Sequence, residues 1–228
     1  MGIDNCAGGT DCANADSNPS NQVNAGHAQQ WAATLNSVAS YISAHGYGYQ
    51  IRVAGAMDIE GAWNTYASTN AWVTAFVAAD PSLRFYNYGD CNAPEGYSAG
   101  NNNVIGPPIF PRDWSYDRIH RVSVRASSLT YPLPQIYHNS GGDARKWQGL
   151  SKWATLNPGG GPYGKIIFPG LLTESNRTYL QGAACAGICS LPSEAISQMN
   201  AALNADSATA NGLSVSLTST DIMFYPFP

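Results

Sequence analysis

The chain has 228 residues, enough for one domain, and is 44% hydrophobic but only 11% charged, against about 25% charged in ordinary soluble domains. A net charge of −4, with no basic stripe, argues against nucleic acid, because phosphates are neutralised by Lys and Arg. No apolar run approaches the roughly 18 residues that would cross a bilayer, so no membrane partner is expected. Asn, Ser, Thr, Gly and Tyr stand where charges usually do. A surface of that kind meets carbohydrate through amides, hydroxyls and aromatic faces.

There are five cysteines. Cys6 with Cys12, and Cys185 with Cys189, fall in Gly/Ala-rich loops and read as two small disulfide-closed loops, leaving Cys91. The alternatives are five reduced thiols, or a metal site built on Cys185 and Cys189. No second Cys or His pair has the spacing of structural zinc, so no metal or cofactor is expected. Disulfides point to an exported, oxidising compartment and a secreted, extracellular protein. Met1 is not followed by a signal peptide, so a removed leader or a fragmentary chain is expected.

In chain order, Gly2 to Asn5 reads as the end of a strand and 6–26 as a polar loop. A helix is expected from His27, with Trp31, Leu35, Val38 and Ile42 at helical spacing and Gly46 ending it. Arg52–Glu60 is a buried strand. The next helix is capped by Ser68 or Thr69, turns Trp72, Val73, Phe76 and Val77 inward, and stops at Pro81. Leu83–Asp90 is a strand, and 91–112 a long loop of the sort that has a function. Arg121–Ala126 alternates as a strand, and Leu133–His138 is another, with Pro134 near its start. A helix over about 143–156 buries Trp147, Leu150 and Trp153. Lys165–Glu174 is the last clear strand, 175–191 a loop, and a helix from Ser190 or Pro192 carries Ile196, Met199 and Leu203 on one face.

Strands alternating with helices imply parallel β/α units. The expected architecture is one TIM-type (β/α) barrel domain over 1–228, lacking its first one or two units because six strands are counted where eight are needed. Polar insertions fall at 6–26, 91–112 and 175–191. The alternative is an open doubly wound sheet, whose dinucleotide version is weakened by the absence of a Gly-rich phosphate turn.

Asp58 and Glu60 sit two residues apart at the end of their strand and so share a side. Like charges and poor solvation disfavour ionising both, which is more typical of a site than of a scaffold. A bland reading stands beside it: one acid caps the following helix and the other pairs with an arginine. Strand ends also carry Tyr88, Asp90, Gln135, Tyr137, His138, Thr173 and Glu174, with Trp63 and Trp114 just beyond. In parallel α/β folds, sites lie at these ends. Paired carboxylates beside aromatic rings are the apparatus of glycoside cleavage, in which one acid protonates the leaving oxygen and its partner supports an oxocarbenium-like centre. Asp58 and Glu60 are therefore the candidate catalytic pair, and Asp90, Tyr88, Tyr137, Gln135, Glu174, Trp63 and Trp114 the candidate substrate-binding residues.

Val53-Ala-Gly-Ala-Met-Asp58-Ile-Glu60, with Tyr86-Asn-Tyr-Gly-Asp90, Pro132-Leu-Pro-Gln-Ile-Tyr137 and Phe168-Pro-Gly-Leu-Leu-Thr-Glu174, resembles a group of exported bacterial barrel proteins without assigned activity. Gly2-Ile-Asp-Asn-Cys6 looks like that group's third strand. Asp58-Ile-Glu60 alone also resembles the D-x-E strand of glycoside hydrolase family 25 lysozymes. That resemblance implies Glu60 as general acid and an Asp assisting the substrate's N-acetyl group; the lysozymes' first-strand Asp has no counterpart in this chain.

Other chemistries fit less well. No G-x-S-x-G elbow marks a serine hydrolase. Cys91 with His120 or His138 would make a nucleophile pair, but such a thiol is more often incidental. A metal on Asp4, Asp58, Glu60 and Asp90 would lack the histidine usual in hydrolytic sites. The expected function is a glycoside hydrolase-like protein with a carbohydrate substrate. The alternative is a secreted protein that binds cell-wall glycan, or serves structurally, without cutting.

Overall fold

The computed structural model describes residues 2–3, 25–59, 65–91, 114–156, 163–173, 190–214 and 220–221. They belong to two compact units, Met1–Asn87 with Phe110–Pro132, and Tyr88–Ile109 with Leu133–Pro228.

In the first unit β1 (Gly2–Ile3), β2 (Ala54–Met57), β3 (Arg84–Asn87) and β4 (Thr130–Pro132) form one parallel sheet in chain order. Ile3 stands opposite Met57, Met57 opposite Asn87, and Asn87 opposite Pro132, so the carboxyl ends of the strands are level. Helices α1 (Ala25–Ala44), α2 (Tyr66–Ala79) and α3 (Tyr116–Ser123) supply the crossovers that parallel pairing requires. Helix α1 packs on α2 through Ala28, Ala32 and Leu35, a strip of small residues and one leucine that is buried where Val38 and Ile42 are only half-buried. Beneath α2, the Trp72 and Phe76 rings stack at 5.4 Å and Phe76 meets Phe85 of β3 at 5.2 Å. This packing explains Gly55: a Cβ there would collide with the Phe76 ring.

Helix α2 starts a turn earlier than Ser68 or Thr69. Thr65 is its N-cap, accepting from the Ser68 amide at 3.3 Å, and Thr69 is buried inside the helix. The expected strand Arg121–Ala126 is instead the end of α3 and the turn after it. Ser115 caps this helix, and Tyr116, Ile119, His120, Val122 and Ser123 are its buried residues, recurring at three- and four-residue spacing. The alternation of Arg121-Val-Ser-Val-Arg125 is incidental to that spacing.

In the second unit the described residues hold two strands and two helices. Helices α4 (Gly142–Leu156) and α5 (Pro192–Asn204) pack together, and β5 (Leu172–Thr173) pairs in parallel with β6 (Thr220–Asp221). The expected strand Leu133–His138 contributes a single parallel bridge, Gln135 to Leu172, closed by Leu172 N–H to Pro134 O at 2.8 Å and Ile136 N–H to Leu172 O at 2.9 Å. Of the expected strand Lys165–Glu174, the described residues yield β5 and a bridge from Phe168 to Leu213. Trp147, Leu150 and Trp153 are buried on α4 as expected, and Trp147 meets Phe168 edge-on at 6.0 Å. Ala195, Met199 and Leu203 form the buried face of α5. The architecture is mixed α/β, with parallel strands that follow chain order in each unit.

Candidate active site

In the first unit the sheet's interior strand β2 ends at Met57, and the next two residues stay enclosed: Asp58 is 4% exposed and Ile59 fully buried. What holds this exit is Asn87, level with Met57 on β3. Its Oδ1 accepts from the Ile59 N–H at 3.0 Å, while its Nδ2 donates to Ile59 O at 3.4 Å and to Ser123 Oγ. A buried side-chain amide thus partners both the N–H and the C=O of Ile59, which would otherwise be stranded away from water. Glu60 and Trp63 lie outside the described residues. Trp114 is fully enclosed, edge-on to Tyr66 at 5.7 Å.

Two imidazoles of this unit are kept neutral. His120 on α3 is 2% exposed, and burial, helped by the Arg125 charge, lowers its pKa to about 3. His27 on α1 accepts from the Trp72 indole N–H at 3.0 Å, and burial lowers its pKa as well. Only an unprotonated Nδ1 can accept that bond.

The second unit gathers Asp90 and Tyr137 into one polar network. Asp143, in the first turn of α4, receives the Tyr137 and His138 backbone N–H groups on Oδ2, each at 3.1 Å, with His138 Nδ1 at 3.0 Å. Lys146, one turn on, reaches Asp90 Oδ2 at 2.8 Å and Asp143 Oδ1 at 3.5 Å. Burial pulls the Lys146 pKa down, but the bond to Asp90 and the charges of Asp90 and Asp143 outweigh it, so the net shift is upward. The ammonium stays charged, and Asp90 is tied to it. Gln135 is buried at its bridge to Leu172, and Tyr88 is half-buried. Glu174 lies outside the described residues, as do Cys6, Cys12, Cys185 and Cys189; Cys91 is buried.

Asn87, Asp143 and Lys146 were not readable as site residues. Asn87 follows Phe85 on the buried face of β3, the face opposite to Tyr88 on strand alternation, so only the register with β2 reveals it. Asp143 and Lys146 stand one turn apart on a helix, an ordinary surface pair until Asp90, 56 residues away, is placed beside them. No group of three or more His, Cys, Asp or Glu side chains suited to a metal occurs among the described residues. No family model, no curated protein and no solved structure matches the chain.

Proposed function

We propose that the chain is an exported glycoside hydrolase-like protein of β/α-barrel type, acting on a polysaccharide or cell-wall glycan through Asp58 and Glu60. One observation carries the reading: a carboxylate withdrawn from water, Asp58, sits at the carboxyl end of an interior parallel strand. Enzymes of parallel α/β folds keep their acids and bases at that end. The barrel assignment draws support from parallel strands in chain order within each unit, the order of a singly wound barrel.

In this reading Glu60 is the general acid that protonates the leaving oxygen. Asp58 supports the developing positive charge or orients a substrate amide, and the Asn87 clamp on Ile59 fixes the backbone between them. Trp63 is the stacking ring of the sugar site in this reading. Glu60→Gln should lower turnover roughly 10²–10⁴-fold, the usual worth of a general acid, with little change in melting temperature. The assay is reducing-end release from peptidoglycan, chitin and plant glycans. A marked loss of melting temperature with turnover untouched would make Glu60 structural.

A second reading, a glycan-binding protein without turnover, is favoured by Asp90, whose carboxylate is occupied by Lys146. Glycan binding with no reducing ends released by the unaltered chain would select it.

A further inference from the structure

Helix α3 is tied to the strand exit that carries Asp58. Asn87, which holds Ile59, also donates from Nδ2 to the hydroxyl of Ser123, the last residue of α3. While Tyr116, Ile119, His120 and Ser123 are buried, Arg118 and Arg121 stand three residues apart on the other side of the helix and are neighbours there. Arg125 follows in the turn after it. From 114 to 125 the sequence holds three arginines against one acid, Asp117, in a chain whose total charge is −4. The histidine among them, His120, is buried and neutral.

Contacts with α2 place Arg118 and Arg121 on one surface. Arg118 lies over the ring of Tyr66, in the first turn of α2, with its guanidinium carbon 4.8 Å from the centroid. One turn along α2, Asn70 Oδ1 accepts from Arg121 Nε at 3.0 Å, and the Tyr66 hydroxyl reaches the same oxygen at 3.5 Å. Arg125 turns back to Asp117, Nη2 to Oδ1 at 3.1 Å, so this acid offsets the third arginine. Asn70 engages only the inner Nε–H of Arg121. The outer N–H fork of the exposed Arg121 side chain has the planar geometry that receives both oxygens of a carboxylate. The bond to Asn70 and the ring under Arg118 hold the two groups in place beforehand, which lowers the entropic cost of binding.

We propose that Arg121, with Arg118 beside it, binds a carboxylate of an acidic polysaccharide next to the Asp58 exit, so that the substrate is a carboxylate-bearing glycan. A polymer charged at every phosphate asks for a row of cations. A compact pair, with the third arginine offset by Asp117, suits one carboxylate at a time. That the ligand is a glycan rests on the reading above; that it is an anion does not.

The test is titration of the full chain with polygalacturonate, alginate and hyaluronate, with the carboxyl-reduced form of each, and with inorganic polyphosphate. The chain should bind at least one acidic polymer, roughly tenfold or more tighter than its reduced form, and affinity should fall as salt is raised. Arg121→Gln should weaken that binding roughly tenfold, the worth of a charge-assisted bond. The melting temperature should not move, because the bond to Asn70 lies at the surface. Arg121→Lys should fall between the two, since it keeps the charge and loses the fork. Undiminished binding by Arg121→Gln, equal binding of the reduced polymer, a preference for polyphosphate, or no binding by the unaltered chain each overturns the inference. Reducing-end release separates the two readings. A chain that binds through Arg121 and cleaves nothing defeats the catalytic reading alone. One that cleaves neutral glycans, with Arg121→Gln as active as the unaltered chain, defeats the carboxylate subsite alone.

Discussion

In the first unit, apart from the Asp58 carboxylate at the end of β2, the enclosed polar groups singled out around the sheet are amides, hydroxyls and imidazoles: Asn87 on Ile59 and Ser123, His27 under the Trp72 indole, and His120 inside the sheet–helix interface. In the second unit the partly buried groups include the charges Asp143, Lys146 and Asp90, with the half-exposed His138 bonded to Asp143 and Lys152 bonded to Asp206. The first arrangement relies on aromatic packing and uses no ion pair to hold those groups. The second ties its elements together through ions, and each ion is useful only while its partner is present. The contrast means that the two halves should fail under different conditions.

Acid should break the first unit. Unfolded, His120 takes up a proton near its ordinary value of 6.5; folded, it resists down to about 3. Its contribution is therefore whole above pH 6.5 and lost progressively as pH falls toward 3, by up to about 5 kcal/mol at the limit. His27 adds in the same direction, because protonation of Nδ1 removes the acceptor for Trp72. Peptide-resolved hydrogen exchange at pH 7 and pH 4 checks this: protection should fall in α1 to α3 first. Equal loss in both units would erase the contrast.

A packing change comes next. Gly55→Ala forces a methyl group against Phe76 and should cost about 3 kcal/mol, the upper range for overpacking, measured by denaturant unfolding. Phe76→Leu added to it should cost less than the two changes summed, because they share one volume.

The smallest effect tests the ionic half. Lys146→Met leaves Asp90 and Asp143 without their cation and should cost about 2 kcal/mol, with the loss confined to the second unit. Because Lys146 has a raised pKa, its contribution is full below pH 10.5 and disappears only as pH climbs through the folded value. In the unaltered chain, thermal scans between pH 9 and 12 should show that decline; Lys146→Met should flatten it.

How much of this was legible in the sequence followed the same divide. Helix α4 could be read closely from Trp147, Leu150 and Trp153, and β2 and β3 from their apolar runs, because aliphatic and aromatic periodicity reports burial directly. Helix α3 was hidden because its buried face includes His120 and Ser123, residues that pattern reading assigns to solvent. β4, three residues ending in proline, is too short to show a period, and the Leu133–His138 run beside it drew attention instead. At the site, Asp58 was visible as an acid closing an apolar run. Its support was not, since Asn87 meets Ile59 across 28 residues and Lys146 meets Asp90 across 56.

Asn87 also sets a limit on chemical substitution that shape alone would not suggest. Its carboxamide presents a donor to one side of the Ile59 peptide and an acceptor to the other, in effect an extra rung of sheet made by a side chain. Aspartate has the same outline but two acceptors. At position 87 its second oxygen would face the Ile59 carbonyl, turning an attraction into a repulsion beside an acid that is already enclosed. An amide at position 87 therefore holds the exit of β2 in a way that a carboxylate of the same shape would not.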